Sequence, residues 1–104
     1  MTIQTTTVTN SATTVYTSAN NTAITWMSLV NETAGALTVD IHVIPSGDSL
    51  ANQNLIAKTL SIAATDSYQL YTGGEKLLLA NADVVQVTAS AATGIYAVVS
   101  FTSI

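Results

Sequence analysis

The sequence predicts an all-β chain, a single antiparallel β-sandwich of about seven or eight strands with a topology compatible with a jelly roll. Three observations lead there. Apolar residues recur with period two over most of the chain, the signature of half-buried strands. Turn residues interrupt these runs at intervals of roughly 8–12 residues, the rhythm of sandwiches and barrels. The polar positions are filled by Thr, Ser, Asn and Gln rather than by charge: the 104 residues include two basic and six acidic side chains, 48% are hydrophobic, and the net charge is −4.

Residues 1–13 form a Thr-rich arm or edge strand, and residues 14–104 form the sandwich domain. The arm has few apolar anchors, Ile3 and Val8, but Thr favours extended backbone. A short strand follows over Val15-Tyr16-Thr17. Residues 22–31 (TAITWMSLVN) are apolar on both parities, Ile24, Trp26 and Val30 against Met27 and Leu29, which predicts a central strand. Asn31-Glu32-Thr33-Ala34-Gly35 breaks the chain. Leu37, Val39, Ile41 and Val43 then alternate with Thr38, Asp40 and His42 in a strand with one apolar face. Pro45-Ser46-Gly47-Asp48 is the strongest breaker, because Pro fixes φ and Gly admits a turn. Residues 49–57 fit a short capped helix or a strand starting near Asn54. Strands over 66–71 and 75–79 are followed by one over 84–90 and a last one over 95–101. The expected core is Ile24, Trp26, Val30, Val39, Ile41, Val43, Ile56, Leu60, Leu70, Leu78, Val85, Val87, Ala97, Val99 and Phe101.

Composition excludes several functions. With only Lys58 and Lys76 as bases, no phosphate-tracking patch forms, so direct nucleic-acid binding is not expected, nor is attachment to an anionic membrane. No apolar run approaches the ~20 residues that span a bilayer. The amino terminus lacks the basic and apolar segments of a signal peptide, so synthesis in the cytoplasm is expected. Without cysteine there is no disulfide and no thiol nucleophile.

Candidate chemistry is sparse. Asp40 and His42 share a strand face and could orient a general base or hold a metal, but no third ligand stands at a useful spacing and a solvated face is the plainer reading. Asp48, Asp66, Glu75 and Asp83 fall at turns without the dense spacing of a calcium loop, so turn chemistry accounts for them. Gly73-Gly74-Glu75-Lys76 lacks the phosphate-loop spacing and reads as a hairpin. Asn20 and Asn31 head chance glycosylation triplets. Trp26, Tyr16, Tyr68, Tyr71 and Tyr96 could form a sugar-stacking platform, although core or interface packing is their commoner use. No catalytic, cofactor-binding or metal-binding residue is assigned, and no enzymatic activity or cofactor is expected.

The blocks Tyr16–Ile24 ("YTSANNTAI"), Val30–Thr33 ("VNET"), Leu79–Ser90 ("LANADVVQVTAS") and Val99–Ile104 ("VSFTSI") resemble a group of small virion structural proteins of tailed bacteriophages. The resemblance covers most of the chain and rests on strand pattern and turn placement. One departure is Ala82 where such proteins often carry Gly before the Asp of the third block. The resemblance implies a β-sandwich present in many copies on a particle, with no active-site residues. The expected role is a capsid cement (decoration) protein that binds the major capsid protein and copies of itself, as a dimer or trimer, in the virion. The alternatives are a tail or baseplate component and a small carbohydrate-binding module.

Overall fold

A computed structural model of the chain describes residues 2–70 and 76–104. Among them nine strands follow one another: β1 (Thr2–Val8), β2 (Thr13–Thr17), β3 (Thr22–Asn31), β4 (Leu37–Ile44), β5 (Leu55–Ile62), β6 (Ser67–Leu70), β7 (Leu77–Leu79), β8 (Val84–Ala89) and β9 (Ile95–Ser103). Among the described residues the only helical element is a single 3-10 turn at Asn52–Asn54. The fold is an all-β sandwich of two antiparallel sheets, as the alternation predicts. One sheet has the order β1-β9-β3-β6, with β7 also paired to β3, and the other the order β2-β8-β4-β5. The stretch 49–57 therefore divides, with the 3-10 turn first and the strand from Leu55.

The inner faces meet in one core. The five-stranded sheet contributes Val8, Ile24, Met27, Leu29, Ile95, Ala97 and Val99, and the four-stranded sheet contributes Val15, Val39, Ile41, Val85 and Val87. Burying each large aliphatic side chain contributes about 1.5–3 kcal/mol, so this cluster is the main stabilising term. Val43, Leu60, Leu70 and Phe101 pack on its rim as expected. Phe101 lies against buried Tyr16 with ring centroids 4.4 Å apart.

Four expected core residues face elsewhere, and β-bulges explain three of them. In β3, Ile24 opposes Phe101 while Trp26 opposes Ser100, so Thr25 is an extra residue on its strand. An extra residue exchanges the two faces of everything beyond it. Ile24 points inward, then Met27 and Leu29 do, and Trp26 and Val30 turn outward. Trp26 is 36% exposed. Thr25 Oγ1 closes the bulge by donating to Ser100 O at 3.2 Å. In β5 the register breaks twice against β4, between Leu60 and Ala57 and between Ala57 and Leu55. Thr59 takes a positive φ of 51° there, and Ile56 is left exposed. The fourth, Leu78, points outward because β7 pairs Leu77 with inward Ile24 and Leu79 with buried Thr22.

One residue ties the sheets together at an end of the sandwich. Asn31, the last residue of β3, is fully buried. Its Nδ2 donates to Gly35 O at 2.9 Å and to Ile62 O, on the opposite sheet, at 3.0 Å. Its Oδ1 accepts from Thr33 N at 3.0 Å and Thr33 Oγ1 at 2.7 Å. Beside it, Gly94 turns the chain from β8 to β9 with a φ of +114°, and an added Cβ would meet Thr33 Cγ2 at 2.5 Å. Only glycine fits that corner without strain.

Candidate functional site

No charged side chain occurs in any described strand of the five-stranded sheet, whose strands read TIQTTTV, TAITWMSLVN, SYQL, LLL and IYAVVSFTS. Register assigns its outer surface. One row across it is Ile3, Ser100 and Trp26; the next is Thr5, Val98, Ser28 and Gln69; the third is Thr7, Tyr96, Val30 and Ser67. Beyond the bulge, Thr102 and Leu78 continue the surface on either side of buried Ala23. Ile3, Trp26, Leu78 and Tyr96 are four of the large exposed apolar side chains, and all lie on this face. A shallow groove of about 310 Å³ runs along it, lined by Thr5, Thr6, Thr7, Tyr96, Ala97 and Val98. Hydroxyl and amide groups separate the apolar ones. Such a surface sheds water at much lower cost than one bearing ions, and among the described residues it holds half of the exposed large apolar side chains.

The sequence misses this concentration because it follows from the Thr25 bulge. Read at strict period two, Trp26 and Val30 belong inside. Trp26 and Tyr96 now share a face. They stand one strand and four residues apart, or about 14 Å at ordinary strand spacing. The remaining aromatic candidates do not join them. Tyr16 is buried against Phe101, Tyr68 opposes inward-facing Leu29 at the sheet edge, and Tyr71 lies outside the described residues.

The polar candidates have structural partners. Asp40 Oδ1 accepts the N–H of Thr59 at 2.7 Å and so holds the β5 bulge across the strand pair. His42 is buried, and its Nδ1 has no hydrogen-bond partner among the described residues. The 3-10 turn lies against β4. Asp66 Oδ1 accepts the N–H of Ser67 at 2.8 Å. Asp83 joins two turns, accepting from Ser46 N at 2.8 Å and Ala80 N at 2.9 Å. Asp48 closes the Pro45 turn through its backbone N–H, bound to Pro45 O at 3.0 Å. The Gly73-Gly74 and Glu75 positions lie outside the described residues. Among the described residues, no three His, Cys, Asp or Glu side chains come together as a metal site. The buried amide of Asn31 is inaccessible for glycosylation, whereas Asn20 is exposed in a turn at φ 58°.

No protein-family model, curated protein or solved structure gives a significant match to the chain.

Proposed function

We propose that this chain is a non-enzymatic virion structural protein, a capsid cement protein of a tailed bacteriophage. In this reading it adheres through the outer face of the five-stranded sheet. The observation that carries the proposal is that face: four exposed large apolar side chains, separated by hydroxyls and amides, with no charge in any strand beneath them. Its partners are the major capsid protein and further copies of the chain, and the mechanism is adhesive, since buried area at a joint between capsid subunits resists their separation. The winding supports the reading at the level of architecture. Each strand along β1-β9-β3-β6 has its chain neighbour at the same place along β2-β8-β4-β5, an order compatible with a jelly roll, a form used in viral capsids and in lectins. Architecture alone does not fix function. A tail or baseplate position would use the same face.

A carbohydrate-binding module is the second reading, and the exposure of Trp26 and Tyr96 on one face favours it. One experiment separates the two. Purified chain is mixed with phage heads stripped of their accessory proteins and, in parallel, with a panel of oligosaccharides, while Trp26 emission and co-sedimentation are followed. Cement function gives co-sedimentation and a blue-shifted emission, with Trp26→Ala weakening head binding by roughly tenfold or more. Absence of co-sedimentation together with saturable quenching by a sugar would replace the first reading with the second.

A further inference from the structure

Among the described residues the sandwich leaves several strand edges without a neighbour, and all but one are guarded. β5 is bulged twice and carries Lys58, with Thr59 at positive φ. β2 is bulged near Val15, whose carbonyl accepts from Gln4 Nε2 at 2.9 Å. On the far side of β3, β6 has four residues and β7 three among the described residues. Short length, bulges and lysine are the devices that keep sheet edges from pairing. β1 has none of them. Its seven residues run in unbroken register with β9, from Thr2 opposite Phe101 to Val8 opposite Ile95, without charge, proline or bulge. Among the described residues β9 is its only sheet neighbour, so the other side presents unpaired N–H and C=O groups.

We infer that β1 is a homodimerisation edge: it pairs antiparallel with β1 of a second copy about a two-fold axis through Thr5. The inference deepens the proposed function, resting on its self-association part, and names the contact. Thr5 is the middle residue of Thr2–Val8, so this register overlaps the whole strand. Thr5 then faces Thr5 of the second copy, Gln4 faces Thr6, and Ile3 faces Thr7. Opposed β-branched side chains are favourable cross-strand pairs. Ile3, 67% exposed in the single chain, comes to lie beside Thr7 of the second copy, in the row that continues to Tyr96. The net charge of −4 does not oppose the contact, because no charged residue lies on β1, β9 or β3. A two-fold axis perpendicular to the sheet keeps both outer faces on the same side, so the dimer presents one uncharged surface of twice the width. The contact closes on itself and does not propagate into a filament.

The chain lacks cysteine, so Thr5→Cys introduces the sole thiol. Directly opposed antiparallel residues have Cα atoms about 4.5–5.5 Å apart, within disulfide reach. Mild oxidation of Thr5→Cys therefore yields a covalent dimer, and Ser61→Cys on the guarded β5 edge does not. Sedimentation equilibrium of the unmodified chain gives a dimer. Thr5→Lys and Thr5→Glu each weaken it by roughly tenfold through like charges placed opposite one another, with thermal unfolding showing each variant folded, and mixing the two restores the dimer. A monomeric unmodified chain overturns the inference. So does a dimer that both charged variants leave intact, or one in which Thr5→Cys crosslinks no better than Ser61→Cys. Head binding is measured alongside. Thr5→Lys that still binds heads under any of those results removes the inference and leaves the cement reading standing. A dimer that behaves as described but binds no heads does the reverse.

Discussion

The two sheets of this sandwich share one core and differ in everything they show to the outside. The five-stranded sheet has no charge in its described strands, exposes Ile3, Trp26, Leu78 and Tyr96, and ends in the straight edge of β1. The four-stranded sheet carries Asp40 and Lys58, has a doubly bulged edge, and has the 3-10 turn lying against β4 near buried His42. The same low charge content therefore has two uses. On one sheet the few ions and the bulges guard the edge; on the other their absence leaves a face and an edge cheap to desolvate. A composition averaged over the chain hides that division.

The largest expected effects fall where the sheets are joined, and they test whether the two layers behave as one cooperative unit. Asn31→Ala removes the amide bridging β3 to Ile62 O of β5 and leaves that buried carbonyl, the part-buried Gly35 O and the Thr33 N–H without their partner. It should cost about 3 kcal/mol or more, read from urea unfolding; a loss below about 1 kcal/mol would mean that the sheets hold together without this clamp. Gly94→Ala forces a Cβ against Thr33 Cγ2 at positive φ and should cost about 2 kcal/mol by the same measurement.

A matched pair of lysines tests the comparison itself. Val98→Lys lies mid-face on the five-stranded sheet, and Thr88→Lys lies on the outer side of β8, opposite Asp40. On the cement reading, Val98→Lys should weaken particle binding by roughly tenfold, because the new ion would have to be desolvated at the proposed contact, whereas Thr88→Lys should leave binding unchanged. Equal losses would show that the two faces are not functionally distinct. The smallest effect is expected from Asp40→Ala, which releases the Thr59 N–H at the β5 bulge. About 1 kcal/mol of stability should be lost, with faster amide exchange confined to β5 and the adjoining part of β4.

Much of the fold is legible in the sequence. The run TAITWMSLVN coincides with β3, Leu37–Ile44 and Val84–Ala89 alternate as read, and the breaks at Asn31 and Pro45 separate strands. The candidate site is less legible, for reasons that belong to pairing. A bulge is set by the partner strand. Nothing in the local sequence marks Thr25 or Thr59 as the extra residue, yet each exchanges the faces beyond it. Trp26 is the clearest case: its size and hydrophobicity argue for the core, and one inserted residue turns it to the surface. Asn31 is the converse, a polar residue read as turn punctuation that is fully buried and saturated with hydrogen bonds. A signal was present, since an Asn-x-Thr immediately after an apolar strand can close on itself through side chain and backbone.

The sequence by itself determined the period-two strands, the turns between them and the scarcity of charge, because these are properties of each segment and its neighbours along the chain. The tertiary structure decided which parity faces inward, which strand remains an open edge, and on which side the exposed aromatic residues gather. Those outcomes depend on register between strands distant in sequence, where a shift of one residue reverses every side chain that follows.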